Sequence, residues 1–193
     1  MFNIAPSMRA PQVYFDHGKQ IAMMKFGLVP SWSKTLDIKF STINATAERI
    51  FESPVYRGPV HKHRSLTPVD FYFEWKLMTD KTKQPYLFRL KNRQSFAFGS
   101  VYDVWKDVEG HEFPSFSIIT TEPNVVAKQY HHRMPLIIPN EYWGTWLDPK
   151  LSEPDIKKLM IPYPDPKNME VYAVSTRVNS PQNQDEQITE PAT

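Results

Sequence analysis

Asp70-Phe-Tyr-Phe-Glu-Trp-Lys76, Pro85-Tyr-Leu-Phe-Arg-Leu90 and Ser95-Phe-Ala-Phe-Gly-Ser-Val101 follow one another in close succession. Each run is short, rich in aromatic and β-branched residues and bounded by polar ones, so each predicts a β-strand. Downstream, Ser115 to Thr120 reads the same way. Upstream, Val13-Tyr14-Phe15 and Ile21 to Phe26 flank a turn of Asp16, His17 and Gly18, the pattern of a hairpin. Val171 to Val178 predicts one more strand. Helical stretches are fewer: Ala45 to Glu52 stopping before Pro54, with Asn44 as its N-cap, then Asn124 to Tyr130, Glu141 to Leu147 and Glu153 to Met160. Many strands with scattered helices predict an α+β fold, one domain over residues 1–193, built on a curled, mainly antiparallel sheet or barrel with peripheral helices.

Composition narrows the function classes. Eighteen prolines against six glycines in 193 residues favour rigid connections over flexible linkers. No run of about eighteen apolar residues exists, so no membrane-spanning helix is expected. Met1-Phe2-Asn3-Ile4-Ala5-Pro6 lacks the basic and apolar regions of a secretory signal, which makes cytoplasmic residence the expectation. With no cysteine, the sequence offers no disulfide, thiolate metal site or thiol nucleophile. The net charge is +2, with Asp185, Glu186 and Glu190 the only charges after residue 179. The remainder leans basic, as a nucleic-acid partner would favour. Ser180 to Thr193, polar and proline-bounded, reads on composition as a loose tail.

Three segments place polar groups in apolar surroundings. Glu74 lies between Phe73 and Trp75; a desolvated carboxyl there would titrate near neutrality and suit proton transfer. An edge-strand glutamate facing water is the bland alternative. In His131-His132-Arg133-Met134-Pro135, a histidine and an arginine two apart on extended chain project to one side, where they could grip phosphate and supply a proton. A solvent-exposed turn is the alternative. Two adjacent histidines on a strand face opposite ways and have no carboxylate at suitable spacing, so no metal and no cofactor are expected. In Leu28-Val-Pro-Ser-Trp32, Trp32 at a loop tip could stack on an unpaired base or pack beneath the following loop.

The order of six segments is more specific: Phe26-Gly-Leu-Val-Pro-Ser-Trp32, Ile43-Asn-Ala-x-Ala-Glu48, Leu66-Thr-Pro-x-x-Phe-Tyr-x-Glu-Trp75, Phe96-Ala-Phe-Gly-Ser-Val-Tyr-Asp-x-Trp105, Phe116-Ser-Ile-Ile-Thr-Thr121 and His131-x-Arg-Met-Pro135. Together they resemble the SOS-response-associated peptidase (SRAP) family of abasic-site processing proteins, from Phe2 to about Pro191. Val174 to Pro181 looks like the family's final strand, which implies an ordered tail. The resemblance implies binding of single-stranded DNA and capture of an abasic deoxyribose in a pocket. By motif position, Asn44 places the nucleophile, Glu74 transfers protons during imine formation and His131 helps open the sugar ring. Trp32 and Arg133 match positions that contact DNA, one stacking on bases and the other meeting phosphate.

The sequence also departs from the family. The family's nucleophile is an N-terminal cysteine whose amine and thiol close a thiazolidine on the sugar aldehyde. The segment bearing it is absent here, and Met1 offers an α-amine without a thiol. Thr46 stands where an arginine usually follows the asparagine motif, Ser65 replaces a common cysteine, and Ser33 follows Trp32 where some members carry a second aromatic. The expectation is a monomer that binds single-stranded and abasic-site DNA and forms no stable thiazolidine. Two alternatives stand beside it: a non-catalytic single-stranded-DNA-binding paralogue or truncated fragment, and a peptidase acting on protein, autocatalytic in the family.

Overall fold

The computed structural model describes residues 2–38 and 41–192. Its elements in order are β1 (Arg9–Phe15), β2 (Lys19–Phe26), β3 (Asn44–Thr46), α1 (Arg57–Lys62), β4 (Arg64–Val69), β5 (Phe71–Leu77), β6 (Lys83–Leu90), β7 (Phe96–Lys106), β8 (Glu112–Thr121), β9 (Met134–Pro135), β10 (Ile137–Ile138), α2 (Trp143–Leu147), α3 (Glu153–Leu159) and β11 (Met169–Ala173). The larger sheet runs β10-β7-β4-β1-β2-β8-β3, with β9 also on β8. A further pairing of β7 with β8 closes β7, β4, β1, β2 and β8 into a ring. All pairings in that ring are antiparallel except β2 with β8, and β3 also lies parallel to β8. A second sheet, β11-β6-β5, is antiparallel throughout. The α+β reading with a mainly antiparallel curled sheet therefore holds.

The largest apolar cluster joins Leu28, Ala45, Ile50, Val60, Leu66, Val101, Ile119, Leu136 and Trp146. Gly99 lets the chain at Leu136 lie flat on β7; a Cβ there would stand 2.7 Å from Leu136 Cδ2. A second cluster, with Tyr72, Phe88, Phe98, Met134 and Tyr163, lies between the two sheets, and a third packs Leu87, Val174, Val178 and Ile188 on the other side of the smaller sheet.

Several local expectations are corrected. Residues 45–52 are not a helix: Asn44 to Thr46 pair with Ile118 to Thr120, and turns follow. Asn44 is thus a strand residue rather than an N-cap. The free edge of β8 and the burial of Ala45 and Ile50 override the helix-favouring composition. Helix α1 begins only after Pro54. Residues 124–130 hold a single 3-10 turn, Ala127–Gln129, capped by Asn124 Oδ1, which accepts from the Val126 and Ala127 N–H groups at 3.1 and 3.0 Å. The strand expected from Val171 ends at Ala173.

The tail is ordered, as the resemblance implied and composition alone did not. Ile188 is fully buried, Val174 bridges Pro191, and Gln184 Oε1 accepts the N–H groups of Phe2 and Asn3 at 3.0 and 3.1 Å. Asn3 Nδ2 in turn donates to the carbonyl oxygens of Val178 and Ser180. Met1, whose amine was considered above, lies outside the described residues. Among the described residues no helix is long and apolar enough to cross a membrane.

Candidate functional site

Strand β5 forms the edge of the smaller sheet, yet both of its faces are covered. Phe71, Phe73 and Trp75 pack against the cluster supplied by the C-terminal segment. Tyr72 and Glu74 take the alternate face, where the segment through Tyr130 and His131 lies across them. Tyr130 packs on Tyr86, the cross-strand neighbour of Glu74, with ring centroids 4.6 Å apart. The glutamate is therefore on an edge strand but does not face open water. Burial pushes its pKa from the usual carboxylate range up to about 7. Tyr72, two residues earlier, stacks on Phe88 with its hydroxyl buried and unpartnered, and the same desolvation holds it well above the ordinary tyrosine value.

His131 Nδ1 lies 3.9 Å from Glu74 Oε2. It also sits 3.2 Å from both the backbone N–H and the carbonyl oxygen of Arg133. A neutral ring accepts from that N–H through Nδ1 and keeps its proton on Nε2; a protonated ring donates to the carbonyl. Either state finds a partner without moving, as proton shuttling requires.

The chain bends at His132 and residues 131–133 are not an extended strand, so the expected same-side geometry does not arise. The His131 and His132 rings pack together, 4.3 Å between centroids. Arg133 points elsewhere: Nη1 and Nη2 donate to Glu48 Oε1 and Oε2, both at 2.9 Å, and Nη2 also donates to the Thr120 carbonyl at 2.6 Å. Its Nε is buried without a partner. The guanidinium holds the Glu48 carboxyl below the usual range.

The structure thus brings Glu74 and His131 together and pairs the Arg133 side chain separately with Glu48. Glu48 stood in the quoted Ile43–Glu48 motif, but nothing in the sequence linked it to Arg133. Asn44 occupies the exposed start of β3 on the same strip of β8, and its carbonyl accepts from Tyr56 Oη at 3.2 Å. Trp32 lies on the loop after β2 and is 61% exposed, so it does not pack beneath the following loop.

An open cleft of about 590 Å³ adjoins His131 and is lined by Lys76, Glu122, Lys128, Tyr130 and His132 among others. Lys76 Nζ lies 5.3 Å from the Tyr130 ring centroid. Cations beside an aromatic face suit a phosphate-linked base, a signal scattered too widely along the chain to be read beforehand. Elsewhere, Asp107, Glu109 and His111 bring possible ligand atoms within 4.8 Å in the exposed β7–β8 turn, where a 2.8 Å Asp107–His111 contact closes the turn.

Comparison with known proteins gives a consistent picture. A family model described as SOS response associated peptidase (SRAP) matches residues 1–181. The chain is 39% identical over 184 residues to the abasic site processing protein YoaM of Bacillus subtilis, covering 94% of this chain and 81% of that one. It is 38% identical over 191 residues to the abasic site processing protein YoqW of the same organism, covering 98% and 85%. A crystal structure of a Bacteroides thetaiotaomicron protein superimposes with a TM-score of 0.85 at 32% identity, covering 97% of this chain and 82% of that chain.

Proposed function

Because the chain belongs to the SOS response associated peptidase family, we propose that it processes abasic sites in damaged DNA, binding them in single strands. The observation that carries the reading is a buried carboxyl titrating near 7, placed 3.9 Å from an imidazole at the edge of a cation-lined cleft. An abasic deoxyribose rests mainly as a cyclic hemiacetal. Opening it moves a proton from the C1′ hydroxyl to the ring oxygen, breaks the C1′–O4′ bond and leaves an aldehyde. Glu74 as carboxylate takes the hydroxyl proton, and His131 returns one to the ring oxygen. An amine then adds to the aldehyde, one of its protons passing to the new hydroxyl; the protonated Glu74 gives its proton to that hydroxyl as it departs as water, and His131 takes the remaining N–H proton from the iminium, leaving an imine. In this reading Asn44 helps place the attacking amine, and Trp32 stacks on a neighbouring base. We further propose that it acts as a monomer in the cytoplasm.

With no cysteine among its 193 residues, the adduct these residues form is an imine, and it survives denaturation only after reduction. The test is a gel assay with single-stranded DNA carrying one abasic site. A higher affinity than for the intact strand, and a covalent band only with borohydride, are expected. Equal affinity for both strands would refute the reading. Abasic preference with no band under any condition would favour the second reading, a DNA-binding chain without chemistry, which the missing thiol supports.

Arg133 contacts phosphate in this proposal only after exchanging its carboxylate partner. Glu48→Gln is therefore expected to raise single-strand affinity several-fold, about 1 kcal/mol, and to steepen the dependence of log Kd on log salt by roughly 0.7. An unchanged affinity and salt slope would assign Arg133 to holding the His131 segment alone.

A further inference from the structure

The loop that carries Trp32 is held far more firmly than an exposed loop tip requires. Leu28 and Val29, which lead into it, are fully buried. Val29 N–H donates to Ser115 Oγ at 2.8 Å, and Ser33 N–H closes the turn on the Pro30 carbonyl at 2.9 Å. Two side chains from β7 then grip either side of Trp32. Asp103 Oδ2 accepts the Ser31 N–H at 2.8 Å, and Trp105 Nε1 donates to the Ser33 carbonyl at 2.7 Å.

Asp103 is itself set rigidly. It is 6% exposed, its Oδ1 accepts the Val104 N–H at 2.9 Å, and His63 Nδ1 lies 3.8 Å from the same oxygen. A buried carboxylate whose hydrogen bond ends on the backbone of an exposed turn stabilises the conformation of that turn. Trp105 is fixed by its ring contact with Phe113, 5.5 Å between centroids. Between these two clamps the Trp32 ring stands in solvent.

We propose that Asp103 and Trp105 are positioning residues for DNA stacking, clamping residues 31 and 33 so that Trp32 is presented to an unpaired base already ordered. This rests on the reading that the chain binds single-stranded DNA through Trp32. A clamped ring avoids the ordering cost that a mobile loop meets on binding, so loosening either clamp weakens binding without removing any atom that touches DNA. It also gives a role to the Tyr102-Asp103-x-Trp105 pattern, to which no role was assigned above.

The experiment is a double-mutant cycle on affinity for an abasic-site single strand, read by fluorescence anisotropy. Trp32→Ala is expected to weaken binding about tenfold, the loss of one stacked base. Asp103→Ala is expected to weaken it about fivefold, and the double variant no more than Trp32→Ala alone. Trp105→Phe keeps the packed ring and loses only the N–H, so it serves should Asp103→Ala fail to fold; about threefold, again absent beside Trp32→Ala, is expected. Clamp variants that bind normally, or whose loss adds in full to that of Trp32→Ala, would overturn the inference while leaving the stacking reading intact. Normal binding by Trp32→Ala would remove the stacking reading, and the inference with it.

Discussion

Glu74→Gln is expected to lower the rate of borohydride-trapped adduct formation about 100-fold while making the folded chain more stable at pH 8. The two effects have one cause. In the folded chain the Glu74 carboxyl titrates at about 7 because burial opposes its charged form, against 4.5 for the exposed group. Between those values the folded state holds a proton that the unfolded state has released. The stability that Glu74 contributes is therefore full below pH 4.5 and is lost as pH rises through 7. With the side chain 23% exposed, the penalty above pH 7 is on the order of 2–3 kcal/mol. Glutamine carries no charge to desolvate, so melting curves of the variant and the parent should separate by roughly 5 °C at pH 8 and converge at pH 4. A constant separation at both values would mean that Glu74 is neutral throughout, or that the glutamine repacks the site. Reaction rate should rise in the parent as Glu74 ionises, and that limb should vanish in the variant. A residue that costs stability where the protein works is expected at a site of chemistry.

The second large effect lies away from the site. Arg64 is almost fully buried, and carbonyl oxygens accept its hydrogen bonds. Its Nε donates to Trp146 O at 2.8 Å, Nη1 to Val60 O and His61 O at 2.7 and 3.0 Å, and Nη2 to Asp148 O. Those oxygens belong to the C-terminal ends of α1 and α2, where carbonyls lack partners within their own helices. The guanidinium also lies 5.8 Å from the Trp146 ring, whose N–H is held by Ser65 O at 2.9 Å. One cation thus ties two short helices to β4. Arg64→Met would leave four carbonyls without their donor and is expected to cost about 4 kcal/mol, measured as the shift in urea midpoint at constant slope. Arg64→Lys supplies donors from one point instead of a fork and should recover less than half of that. A loss below about 1 kcal/mol for Arg64→Met would show that water replaces the guanidinium there.

The strands were legible because this sheet is built from aromatic runs that interior packing requires wherever they occur, and the periods of β5 to β8 stand out. Segment 45–52 misled because its composition favours a helix while β8 offers an unpaired edge; only the tertiary partner decides between the two. Glu74 could be picked out as a carboxylate among aromatics. Its burial could not, because the residues that cover its face come from the distant segment around Tyr130. The Arg133 partnership was hidden for the same reason. Glu48 lies 85 positions away, and no local pattern announces a fork closed at that range. Arg64 gave no signal at all, since a charge answered by carbonyls has no complementary residue type to find. The ordered tail is decided by Gln184 and Ile188, two residues that composition counts as unremarkable.

The closed ring of strands carries a consequence for how the chain reaches its fold. β1 and β2 form a local hairpin, but the outer side of β2 is paired only where Lys25 and Phe26 meet Ser115 and Phe116. At ribosomal rates of about 5–20 residues per second, roughly 90 residues must be made before that partner exists, a wait of about 5–20 s. Val13 and Tyr14 wait less, for β4. During synthesis the hairpin therefore stands with Met24 and Phe26, which in the finished fold pack with Phe116 of β8, uncovered beside a bare strand edge, the kind of surface that holdase chaperones engage. The parallel β2–β8 contact that closes the ring joins distant parts of the chain, and pairing at that range predicts folding in the millisecond-to-second range, slow for so small a domain.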